Sequence, residues 1–106
     1  VTYERLVSKL TKENLWLYIL TELVKQPMYA YEIAKTLKNK HKIPIATVTA
    51  YVVLYKMERE GLITVKAKTS RLGRPDRKYY EITDKGRDVL ERGKQFLRET
   101  LEVISS

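Results

Sequence analysis

The apolar residues of this chain change their spacing at Gly61 and change it back after Ile82, so the fold must combine helices with a hairpin. Ahead of Gly61 the spacing is helical. Leu15, Trp16, Ile19, Leu20, Leu23 and Val24 form one stripe over residues 13–26, and Pro27 ends it. Tyr31, Ile33, Ala34 and Leu37 form a second, which ends near Asn39. Ala50, Leu54 and Met57 form a third within Ile45–Glu60, stopped by Gly61. The Lys40–Pro44 segment between the last two is basic, contains a proline and reads as a loop. A shorter pattern, Tyr3, Leu6, Val7 and Leu10, predicts a further helix, with Thr11 and Asn14 as caps that separate it from the next.

After Gly61, Ile63, Val65 and Ala67 alternate with Thr64, Lys66 and Lys68, and Lys78–Ile82 is a second β-favouring run. Thr69–Arg77, polar and holding Gly73 and Pro75, has the length of a hairpin tip. Three short helices followed by a hairpin with cations at its end describe an α+β winged helix-turn-helix: a three-helix core plus a two-stranded wing. Thr83 or Asp84 can cap a last helix to about Ile104. Its apolar residues recur at sevens, as Val89 and Leu90, Phe96 and Leu97, Val103 and Ile104, with Leu101 between the last two pairs. That recurrence favours a seam against another helix. A helix of about 20 residues is roughly 30 Å long and overhangs so small a core, so a second copy of the chain is the simplest partner and a seam within the same chain the alternative. The organisation expected is a DNA-binding domain over residues 1–83, with an N-terminal helical extension over 1–12, and a dimerisation helix over 84–106. Leu90, Phe96, Leu97, Leu101 and Ile104 are the candidate dimer contacts.

Composition narrows the chemistry. With 106 residues the chain forms one domain, and the absence of cysteine removes disulfide scaffolds, cysteine zinc sites and thiol nucleophiles. His41 is the single imidazole; between Lys40 and Lys42 it is expected to be solvated on a basic surface. No nucleophile with a base, no phosphate-cradling glycine loop and no metal set is recognisable, so neither an enzyme nor a cofactor is expected. The longest apolar stretch, Leu15–Leu20, is too short to cross a bilayer, and the expectation is a cytoplasmic protein without a membrane partner.

Charge is strongly localised. From Lys35 to Lys78 there are twelve cations and three acids, a balance of +9, whereas the rest of the chain comes to −1. One basic surface facing a polyanion explains such a distribution, and double-stranded DNA is the natural partner. The start of the third helix offers Thr47, Thr49 and Val52, short side chains able to approach base edges, and no Arg or Lys lies between Pro44 and Tyr55 to make a bidentate contact with guanine. Tyr31, Lys35 and Lys38 on the second helix, Lys42 in the loop and Arg71, Arg74 and Arg77 at the wing tip are the candidate phosphate or minor-groove contacts.

Three segments resemble the PadR family of winged-helix transcriptional regulators: Pro27–Ile33, then Thr49-Ala50-Tyr51 through Leu54 and Met57 to Glu60-Gly61-Leu62-Ile63, and finally Gly73–Gly86. Order and spacing agree in all three, over roughly residues 15–90. Lys78-Tyr79-Tyr80 running into Ile82-Thr83-Asp84-Lys85-Gly86 is the most specific part. The resemblance implies a homodimer on a pseudo-palindromic operator, most often a repressor. It also implies that Tyr51 lies near the DNA backbone, and that a flat aromatic effector could sit where aromatic residues of the first and last helices meet, here Trp16 with Phe96. A structural Trp16 is the alternative. Ala30 stands where the family commonly has Gly, so positive φ is not expected there, and Val52 stands where Pro is common, so no operator can be transferred. Two other readings remain at this level: a winged-helix protein-interaction adaptor, which has no need of the wing cations, and an architectural DNA-binding protein with low sequence preference.

Overall fold

The computed structural model describes residues 1–68 and 78–106. Its elements are α1 (Thr2–Leu10), a 3-10 turn (Lys12–Asn14), α2 (Trp16–Lys25), β1 (Met28–Tyr29), α3 (Ala30–Asn39), α4 (Thr47–Arg59), β2 (Ile63–Lys68), β3 (Lys78–Ile82) and α5 (Asp84–Ser105). The helical stripes become the core as their spacing predicts. Leu15, Ile19, Leu20 and Leu23 meet Ile33, Ala34 and Leu37 of α3, and Ala50, Leu54 and Met57 of α4 close the cluster over Ile63, Tyr80 and Ile82 of the sheet. Val24, counted in the first stripe, and Tyr31, counted in the second, are exposed instead, because each lies at the edge of its helix's inward face.

Thr11 and Asn14 do separate two helices, although neither caps α2. Thr11 Oγ1 donates to Val7 O at 2.6 Å and Asn14 Nδ2 donates to Lys9 O, so both close the end of α1. The 3-10 turn then takes the residues expected to begin α2, which starts at Trp16.

The sheet has three antiparallel strands in the order β1-β3-β2, one more than the expected two-stranded wing. β2 and β3 pair from Ile63↔Ile82 to Lys68↔Lys78, with a register shift between Val65 and Ala67. The additional strand, β1, pairs Met28 with Tyr80 and Tyr29 with Tyr79, and the Tyr29 and Tyr79 rings lie 4.7 Å apart. Two residues are too few to show a period, which is why pattern alone misses them. Of the Tyr79–Tyr80 pair one ring is buried, Tyr80, as alternation along a strand requires. Burial, with the Glu58 charge second, raises the Tyr80 hydroxyl pKa above its ordinary value.

The end of α4 and the start of α5 are tied at one point. Gly61 takes φ +79°, the left-handed conformation that ends a helix, and Leu62 N–H returns to Met57 O at 3.0 Å. Thr83 caps α5 by accepting from Gly86 N–H at 3.0 Å, and its hydroxyl donates to Gly61 O at 2.6 Å. Lys85 Nζ reaches Glu60 O at 2.7 Å. Ala30 has no positive φ; among the described residues only Lys42 and Gly61 do.

Leu90 is 2% exposed and belongs to the core of its own chain, which corrects its assignment to the dimer seam: the first two turns of α5 lie on α2 and the sheet, and the sevenfold pattern gives no sign of where the core stops. Trp16 and Leu17 pack against Gly93 of the same helix. From Gln95 onward every residue of α5 is exposed. Among the described residues no helix is long and apolar enough to cross a membrane.

A Cβ on Gly86 would lie 2.2 Å from Leu62 O, a backbone atom that cannot rotate away. Gly86→Ala is expected to cost about 2–3 kcal/mol by pushing α5 off the sheet; a urea unfolding midpoint equal to that of the unmodified chain would contradict this packing.

Candidate nucleic-acid interface

Helix α4 has two opposed faces. Ala50, Leu54 and Met57 point into the core, and Val48, Tyr51, Val52 and Tyr55, at the same helical spacing, point outward and are exposed. Lys56 and Arg59 continue the outer face toward the C-terminal end, with the Arg59 guanidinium 5.8 Å from the centre of the Tyr55 ring. An outer stripe of short or flat side chains flanked by cations can approach a groove closely, because no long side chain at its centre holds the backbone away.

Helix α3 meets α4 through a turn that carries Lys42, exposed and at φ +58°. The start of α3 is set by Glu32, which accepts from Tyr29 N–H at 2.9 Å. Beside it, Tyr31 is exposed, and with Tyr51, Tyr55, Tyr80, Glu32 and Lys78 it lines a cleft of about 740 Å3 between α3, α4 and β3. Part of the formal charge here is already neutralised: Lys66 pairs with Glu81 at 3.2 Å and Lys78 with Glu58 at 3.7 Å.

The turn is held from behind by a group that pattern reading did not single out. Glu22 of α2 is 7% exposed, and its Oε2 receives Lys40 Nζ at 2.9 Å, His41 Nε2 at 2.9 Å and Lys25 Nζ at 3.4 Å. Burial disfavours the charged form of Glu22, but the hydrogen bonds from Lys40 and His41 and the Lys25 charge outweigh it, and the carboxyl titrates below its ordinary value. An ionised carboxylate only accepts, so His41 Nε2 carries the hydrogen in this contact. The imidazole is therefore not solvated, correcting the expectation for His41: its side chain is 18% exposed and lies edge-on to Tyr18, 5.2 Å between ring centres. The available signal was Glu22 itself, an acid beside the apolar stripe of Ile19, Leu20 and Leu23.

The structure brings Lys38 and Thr47 together, with Lys38 Nζ 3.1 Å from Thr47 Oγ1. Tyr31, Lys35, Lys42, Thr49, Tyr51 and Val52 are exposed on α3, the turn and α4. Arg71, Arg74 and Arg77 lie outside the described residues. Tyr55, Lys56 and Arg59, which extend the outer face of α4, were absent from the sequence-derived site, although the spacing of Val48 and Val52 leads to Tyr55. Trp16 is half-buried and its Nε1 donates to Asn14 Oδ1 at 3.0 Å, whereas Phe96 is 68% exposed. Neither lines the tyrosine cleft.

Comparison with known proteins places this arrangement. Residues 19–92 match the transcriptional regulator PadR-like family. The chain belongs to that family. A PadR-like transcriptional regulator from Bacillus cereus is 34% identical, with a TM-score of 0.76 over 92% of this chain and 94% of that one. A PadR family regulator from Clostridium difficile is 32% identical, with a TM-score of 0.73 over 85% and 93% of the two chains. One from Eggerthella lenta, at 28% identity, gives a TM-score of 0.79 over 98% and 89%. No curated protein sequence matches. The fold is thus the PadR winged helix, and the family is one of DNA-binding transcriptional regulators rather than enzymes. Among the described residues there is no group of three or more His, Cys, Asp or Glu side chains placed to hold a metal ion.

Glu22 titrates lower in the folded than in the unfolded chain, so its contribution to stability is complete above the unfolded value of 4.5 and is lost as pH falls through the folded value. Glu22→Gln is expected to cost about 1–3 kcal/mol at neutral pH and to lose stability less steeply than the unmodified chain between about pH 5 and about pH 3. Parallel urea midpoints for the two proteins across that range would show that the carboxylate does not hold the turn.

Proposed function

We propose that this PadR-like regulator acts as a homodimer on a pseudo-palindromic operator, with α4 of each protomer in the major groove, and that occupancy represses transcription. The observation that carries the groove assignment is the outer stripe of α4, Val48, Tyr51, Val52 and Tyr55, exposed along its length while the opposite face is fully committed to the core. On this reading Thr47, Thr49 and Val52 meet base edges, and Tyr31, Lys35, Lys42 and Tyr51 meet phosphates. The wing residues Arg71, Arg74 and Arg77 add the cations that follow the backbone or enter the neighbouring minor groove. Half-sites one helical turn apart, roughly 34 Å, match a two-fold dimer. Such a regulator works in the cytoplasm, where it meets its DNA.

Support for the homodimer is the apolar surface left uncovered at both ends of the chain. Tyr3, Leu6, Val7 and Leu10 of α1 are exposed, as are Phe96, Leu97, Leu101, Val103 and Ile104 beyond the core on α5. Exposed apolar residues repeated along two helices mark a protein interface. Trp16 packs against Gly93 of α5 and Phe96 lies exposed about one turn further along that helix, and on this reading a flat aromatic effector would be held between them in the dimer.

Footprinting the fragment upstream of the protein's own coding region tests the operator, and a salt series against bulk DNA gives the specificity ratio. Protection of two half-sites is expected; a ratio near unity would favour an architectural role, and no binding at low salt an adaptor. Arg74→Ala is expected to weaken binding to every duplex and to lower the salt slope by about one. Leu101→Asp is expected to shift the chain from dimer to monomer by leaving an unpaired carboxylate in the seam, and a sedimentation coefficient unchanged from the unmodified protein would remove α5 from the interface.

A further inference from the structure

The contact between Lys38 and Thr47 bears on what α4 can read. Lys38 stands in the last turn of α3 and Thr47 is the first residue of α4, and both are exposed. Lys38 Nζ lies 3.1 Å from Thr47 Oγ1. An ammonium has three donors and no acceptor, so in this contact the threonine oxygen accepts and its own hydrogen is directed elsewhere.

Two other threonines show the usual destination of such a hydrogen. The Thr11 hydroxyl donates to Val7 O at 2.6 Å and the Thr21 hydroxyl to Leu17 O at 2.7 Å, each one turn back. For Thr47 the carbonyl four residues back belongs to Ile43, in the turn; it accepts from Ile45 N–H at 3.0 Å and receives no bond from the Thr47 hydroxyl. Among the described residues the Thr47 hydroxyl donates to no protein group. Thr47 is exposed, so this hydrogen is available to a group outside the chain, at the first turn of α4.

We propose that Lys38 is a positioning residue that holds the Thr47 hydroxyl as a hydrogen-bond donor toward the major groove, so that the base opposite must offer an acceptor and cytosine is rejected. The proposal rests on the reading of α4 as the groove-entering helix. Guanine offers N7 and O6 there, adenine N7 and thymine O4, whereas cytosine offers only its N4 amino donor. The Lys38 charge beside the hydroxyl works in the same direction, since it repels the amino hydrogens of cytosine and attracts the acceptors of the other three bases. Lys38 is thereby assigned to orienting a reading side chain, a different role from a phosphate contact.

The two roles separate experimentally. The full chain is used to select from a pool of duplexes randomised over about 20 base pairs, enough for two half-sites. Dissociation constants are then measured across a salt series for the selected duplex and for versions carrying cytosine at each position. In the unmodified protein, cytosine at one position per half-site is expected to weaken binding roughly three- to tenfold, the worth of one hydrogen bond. Lys38→Met and Thr47→Val are expected to bring that penalty close to unity with the salt slope unchanged, and Lys38→Arg and Thr47→Ser, which keep the donor and the hydroxyl, to retain it. Weaker binding of Lys38→Met to all duplexes alike, with a slope lower by about one, would make Lys38 a phosphate contact and overturn the proposal, as would a cytosine penalty that survives Thr47→Val. A pool from which the unmodified chain enriches no sequence overturns the operator reading itself and the proposal with it.

Discussion

Helix α4 is attached to the rest of the molecule by one narrow stripe, Ala50, Leu54 and Met57, and everything it can present outward depends on that stripe staying buried. A 13-residue helix has little intrinsic stability in water, and packing of its apolar face supplies most of what keeps it folded. The smallest member, Ala50, is fully buried, so α4 lies close against its neighbours there. With one face used this way, Val48, Tyr51, Val52 and Tyr55 on the other face are free of the core. The same helix therefore serves as a structural wall and a reading surface, with opposite demands placed on residues one or two positions apart.

The ends of α4 are held by different means. At its C-terminal end Gly61 turns the chain into β2, and Thr83, bonded at once to Gly61 O and Gly86 N–H, fastens the start of α5 to the same point. At its N-terminal end the cap position is Ala46, which offers no side-chain hydrogen bond, and the helix depends on the turn before it. Glu22 holds that turn through Lys40 and His41, so a buried carboxylate on α2 determines where Lys42 and the beginning of α4 are presented. α2 also carries Trp16 and Leu17, which receive α5 at Gly93. One ten-residue helix thus contacts both the overhanging α5 and the turn ahead of α4.

Much of the fold was legible because its elements obey one period each. The alternation of Ile63, Val65 and Ala67, the stop at Gly61 and the cap at Thr83 lead directly to β2, the end of α4 and the start of α5. Elements of two or three residues have no period to show, and so β1 and the 3-10 turn before α2 were not visible. Leu90 illustrates a different limit: its place in the sevenfold series is the same whether it meets the core or another protomer, and only the position of α2 and the sheet beneath it decides. His41 and Glu22 lie 19 positions apart, and no local pattern connects them.

By itself the sequence determined most of the residues that turn inward on α2, α3 and α4, where the helical spacing yields to alternation, and that the positive charge is gathered between Lys35 and Lys78, because these follow from local geometry and composition. The tertiary structure decided which charges are already spent on partners, as with Lys40 on Glu22, Lys66 on Glu81 and Lys78 on Glu58, and which apolar residues of α5 are covered by their own chain. The physical reason is that pairing and burial depend on what lies opposite in space, and residues brought opposite one another by folding carry no mark of it in their local spacing.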